Sequence, residues 1–71
     1  MNNIDIREYI INNFKDENTE KVRDSIETTI EERNEDALIG LGVLFEIVWN
    51  NSSESEKEKF LNIIMSEIKK I

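Results

Sequence analysis

Ala37-Leu38-Ile39-Gly40-Leu41-Gly42-Val43-Leu44-Phe45-Glu46-Ile47-Val48-Trp49 is the stretch whose reading decides the fold. Glu46 is the one charge among these thirteen residues, whereas both flanks are dense with acids and bases. A helix needs roughly 20 apolar residues to cross a bilayer, so this stretch is too short to span one and reads as a core element. On a helical wheel Leu38, Leu41, Val43, Leu44, Phe45, Val48 and Trp49 sweep roughly 240° of circumference, leaving a strip near Glu46 and Asn50 for water. A helix over about residues 37–50 that is apolar on so many sides wants neighbours on at least two of them. The other helices of the chain can supply those neighbours, and so can a second copy.

Gly40 and Gly42 are the only glycines, and proline is absent. Each glycine costs about 1 kcal/mol relative to alanine inside a helix, so its presence needs a reason. A helix that begins near Leu41 would leave Gly40 outside its first turn, and Gly42 would then admit a close approach by another backbone. With so few breakers elsewhere, and with Asn, Ser and Thr clustered between apolar-periodic runs, the chain reads as all-α, a small four-helix domain over residues 1–71 packed around the central helix.

Working outward toward the N-terminus, Asn34-Glu35-Asp36 turns the chain into the central stretch. Before it, Val22, Ser25, Ile26, Thr29, Ile30 and Arg33 recur at helical spacing as a narrow stripe on a charged surface. Asn18 or Thr19 caps that segment, and Lys15-Asp16-Glu17-Asn18 connects it to a first helix. Ile6, Tyr9, Ile10 and Phe14 share one side of that first helix, which starts from a cap at Asp5 or Asn3 and fades by Asn13. Toward the C-terminus, Asn50-Asn51-Ser52-Ser53 ends the apolar helix. Ser53 followed by Glu56 fits a capping box, and Phe60, Leu61, Ile64, Met65, Ile68 and Ile71 mark the expected buried face of the last helix. Lys69-Lys70 suits its negative pole.

Seventy-one residues lie near the size at which a hydrophobic core barely holds itself together without a staple. Cysteine is absent, so no disulfide helps, and with histidine absent too the usual transition-metal ligands are missing. Nine Lys and Arg against sixteen Asp and Glu give a net charge of −7. That field opposes the approach of phosphate, so direct nucleic-acid binding is disfavoured. The opening Met1-Asn2-Asn3-Ile4-Asp5 has neither a basic n-region nor a long apolar run, so the expected location is the cytoplasm of the cell that makes the protein.

The run Gly40, Leu41, Gly42, Val43, Leu44, Phe45, Glu46, Ile47, Val48 and Trp49 resembles the signature of the small acid-soluble spore protein type I family. The order of features around it is similar too: an Ile-rich N-terminal segment with Arg7 and Ile10-Ile11-Asn12-Asn13, an acidic amphipathic segment through Ile26 and Ile30, and a Glu/Lys-rich C-terminal helix. The family is expected to carry a proline just before the first glycine, where this chain has Ile39, which leaves the start of the central helix open. The resemblance implies a minor, non-catalytic protein made in the developing forespore and stored in the spore core. Well-known spore proteins of similar name coat DNA, and the charge of this chain argues against carrying that activity over.

Without histidine or cysteine neither a Ser-His-Asp nor a Cys-His arrangement can be assembled in one chain, and no enzyme is expected. Gly-Leu-Gly lacks the remaining glycines and lysine of a phosphate loop. The acids Glu31, Glu32, Glu35 and Asp36 lack the spaced ligands and central glycine of a calcium loop, so a solvated face is the simpler reading. Neither cofactor nor catalytic or metal residues are expected. Trp49 reads as core rather than interface anchor, and Glu46 as the residue that marks the wet strip rather than one that pairs with a partner's base. The partners that fit are a second copy, giving a homodimer, or a protein in the spore core. A different reading from charge alone is an acidic module that occupies a basic partner's groove as a mimic of phosphate.

Overall fold

A computed structural model describes residues 5–71. Within them the chain forms α1 (Ile6–Phe14), α2 (Thr19–Glu32), a 3-10 turn (Glu35–Ala37), α3 (Leu38–Asn50) and α4 (Glu54–Ile68). There is no strand among the described residues, so the all-α, four-helix reading holds. The cap candidate Asn3 lies outside the described residues.

Short polar side chains set the boundaries. The Asp5 carboxylate accepts from the Glu8 amide, and the Asn18 side chain accepts from the Lys21 amide at 2.8 Å. Each satisfies an amide that the first turn leaves without a helical partner. α1 runs to Phe14, one residue past the expected end, because Phe14 is half-buried and gains from staying on the helix. α2 ends at Arg33, which takes the left-handed conformation with φ of 55°. Asn34 then accepts from the Asp36 amide at 2.9 Å and winds the 3-10 turn. The turn leads straight on, since Ala37 is already near-helical at φ −82° and ψ −7°.

α3 begins at Leu38, in keeping with the span of about 37–50 and not with the start near Leu41 that the glycines suggested, so both glycines lie inside it and neither has positive φ. A Cβ added at Gly40 or Gly42 would meet nothing within 4 Å, so Gly42 does not admit a close backbone neighbour either. At the far end Asn51 donates its side-chain amide to the Ile47 carbonyl and Ser52 its hydroxyl to the Val48 carbonyl, closing off α3. The capping box of α4 is present in both directions: the Ser53 amide donates to Glu56 at 2.7 Å, and the Glu56 amide to Ser53 Oγ at 3.1 Å.

α3 is the hub, and Val43 its centre at 6% exposure, the only buried side chain among the described residues. Half-buried around it are Ile10 and Phe14 of α1, Val22 and Ile26 of α2, Leu41, Leu44 and Trp49 of α3, and Phe60 of α4. The enclosure is incomplete. Leu38, Ile39, Phe45, Ile47 and Val48 of α3 are exposed, as is Ile30 at the end of the α2 stripe. The expected buried face of α4 is a second correction: Phe60 is half-buried, whereas Leu61, Ile64, Met65, Ile68 and Ile71 are exposed.

The molecule is open for its size. Its accessible surface is 6479 Å², where a compact monomer of this mass exposes about 4600 Å². Its radius of gyration is 14.1 Å, where about 11 Å is usual for this length.

Candidate functional site

The family-like residues Gly40, Leu41, Gly42, Val43, Leu44, Phe45, Glu46 and Trp49 all lie on α3. The helix divides them among four surroundings. Val43 enters the core, and Gly42 stands in the open. Gly40, Leu41 and Leu44 line a groove of about 370 Å³ whose other walls include Ile6, Tyr9, Ile10 and Phe14 of α1 and Ile26 of α2. Phe45, Glu46 and Trp49 line a second, wider groove with Arg7, Leu61 and Ile64.

Glu46 is the junction of α1 with α3. Arg7 Nε donates to Glu46 Oε1 at 2.6 Å and Arg7 Nη2 to Oε2 at 2.7 Å, a two-pronged pairing that suits the planar guanidinium. The hydrogen bonds from Arg7 hold the Glu46 carboxyl below its ordinary pKa, and the same contact holds the Arg7 guanidinium above its own. The strip expected to face water at Glu46 does so in part, with the Glu46 side chain 45% exposed, and it also meets Arg7 of α1, while Asn50 is exposed. The reading of Glu46 as a wet-strip marker missed this pairing, although the sequence holds a signal for it. Glu46 is the lone charge of α3 and Arg7 the lone base of α1, and an isolated acid and an isolated base on two apolar helices are candidates for each other.

The aromatic residues form the other contact layer. Phe45 lies 6.0 Å from Trp49 and 6.4 Å from Phe60, the latter nearly edge-on, within the range where aromatic pairs attract. Lys57 places its ammonium 5.1 Å from the centre of the Trp49 ring. Trp49 thus ties the start of α4 to the end of α3, half in the core and half beneath a cation. Nothing in the spacing of Lys57 on its own helix announced that contact, because it forms across the turn at residues 51–53.

Among the described residues no group of three acids is placed to hold a metal ion, and Glu31, Glu32, Glu35 and Asp36 are all exposed. No described helix is long and apolar enough to cross a membrane. What the arrangement offers chemically is surface: apolar grooves on both sides of α3, and an acidic face over α2 and the turn that follows.

A family model described as small, acid-soluble spore protein I matches residues 4–68. The protein named small, acid-soluble spore protein I of Geobacillus sp. (strain WCH70) is 36% identical over 66 residues, covering 93% of each chain. Its namesake in Bacillus subtilis (strain 168) shows the same identity and coverage. In Geobacillus kaustophilus (strain HTA426) the identity is 33% over 66 residues, 93% of this chain and 96% of the relative. No solved structure matches the chain. The match runs through all four helices and includes both Arg7 and the apolar run of α3, and it places the chain in the small, acid-soluble spore protein I family.

Proposed function

We propose that this protein is a non-catalytic component of the spore core, made in the developing forespore and acting through contact with other macromolecules. The family match over residues 4–68 carries the reading. Two physical facts support it. A chain without histidine or cysteine lacks the common means of activating a nucleophile, and the surface presents grooves and charge rather than converging polar groups. The test is location in time and space. A fluorescent fusion and immunoblots across sporulation should show the protein first in the forespore and then in dormant spores. Accumulation in growing cells with none in purified spores would refute the reading.

A second reading, an acidic module that docks on a basic protein, has one observation in its favour. Residues 16–36 carry nine acids and three bases, and so hold most of the net charge on α2 and the turn beyond it. Such a face suits a partner that ordinarily binds phosphate. Binding to a basic protein purified from spores should weaken by at least tenfold between 50 and about 300 mM salt if charge drives it. Indifference to salt, or retention by a variant with Glu31, Glu32 and Glu35 changed to Gln, would reject the module.

A further inference from the structure

The last turns of α4 present an apolar face that no other part of the described chain covers. Leu61, Ile64, Met65 and Ile68 follow one another at helical spacing on one side of the helix and are 42, 39, 47 and 53% exposed. Leu61 and Ile64 also border the wide groove of about 740 Å³ lined by Phe45 and Trp49, so the uncovered face of α4 continues onto α3. We infer that a second copy of this chain covers that face, with the two α4 helices packed antiparallel across a two-fold axis near Ile64.

Area and charge both select this occupant. The chain exposes about 1900 Å² more than a compact monomer of its mass, whereas a standard interface removes about 800 Å² from each partner, so the surplus suffices for a stable dimer. The charge distribution then chooses the place. From Glu54 onward four glutamates are matched by Lys57, Lys59, Lys69 and Lys70, so the side chains of the last helical segment are neutral in sum and the whole net charge of −7 lies before it. Two copies meeting through α2 or the 3-10 turn would press like charges together. Two copies meeting through α4 avoid that.

Antiparallel packing also sets the glutamate-rich start of one α4 beside the Lys69-Lys70 end of the other. With Ile64 on the axis, Glu58 of one copy falls on the same flank as Lys69 of the second, and the helix dipoles oppose. A two-fold axis makes the patch serve both copies at once, which is the commonest way for identical chains to close. An anionic membrane surface, the other taker of an amphipathic helix, is opposed by the charge of the remaining chain.

Sedimentation equilibrium of the full chain, from micromolar to millimolar, tests the inference. The expected mass rises from 8.4 kDa to twice that. The double variant Met65→Glu/Ile68→Glu should bind itself at least tenfold more weakly, while Ile30→Glu, on α2 outside the face, should dimerise as the parent does. Both altered positions in α4 are exposed in the single chain, so circular dichroism should show helix content unchanged. A readout that needs no variant is amide exchange at low and high concentration, where added protection should fall on residues 61–68. A chain that stays at 8.4 kDa throughout, a dimer indifferent to the α4 variant, or added protection confined to α1 and α2 would each overturn the inference.

Discussion

Gly40 and Gly42 stand inside a helix with open space where a side chain would be, and neither uses the conformational freedom that glycine provides. Alanine at either position should therefore stabilise the fold by about 0.5–1 kcal/mol, chiefly by restricting the unfolded chain, and urea denaturation would measure it. Arg33 is the opposite case. Its left-handed backbone costs a side-chain-bearing residue roughly 1–2 kcal/mol, so Arg33→Gly should raise stability by about half that or more, since glycine takes φ of 55° without strain. The Arg7–Glu46 pair predicts a pH dependence. Arg7 lowers the folded-state pKa of Glu46, so the pair's stabilisation is complete above the unfolded carboxylate pKa of about 4.3 and is lost as pH falls through the lower folded value. Urea midpoints of the parent and Glu46→Gln should thus differ at pH 7 and converge toward pH 3. A constant gap across that range would show that the contact is not electrostatic.

At the scale of the element, local chemistry was readable where it was local. Asp5, Asn18 and the Ser53–Glu56 box cap the segments that their positions imply, because a cap needs only its own turn. Ser53→Ala should cost about 1 kcal/mol of stability and fray the first turn of α4, visible as loss of amide protection at Glu56 and Lys57. The start of α3 was not readable from its glycines. Glycine's handicap is about 1 kcal/mol, and a turn wound by Asn34 that delivers Ala37 already near-helical outweighs it. The face of α4 was legible as amphipathic from spacing alone, yet periodicity says which side of a helix is apolar and not what covers it. Leu61 to Ile68 therefore read as core but stand uncovered in the single chain.

For the molecule as a whole, one apolar helix is asked to organise three amphipathic neighbours, and it does so on part of its circumference only. The short chain lacks the surface to wrap α3 on every side, and the result is an open bundle with one buried residue among those described, a groove on either side of α3 and a last segment whose charges sum to zero. The all-α architecture and the place of the family-like residues on α3 were legible in the sequence, since thirteen nearly uncharged residues between charged flanks leave little choice. The contacts that tie α3 to its neighbours, Arg7 with Glu46 and Lys57 with Trp49, join residues far apart in sequence or across a turn, and only the fold brings them together. The most direct test of α3 as hub compares two identical truncations on that helix, Val43→Ala and Val48→Ala, by equilibrium unfolding. Val43 is 6% exposed and Val48 45%, so the first should lose about 2 kcal/mol and the second well under about 1 kcal/mol. Equal losses, or a larger loss at Val48, would contradict a core centred on Val43.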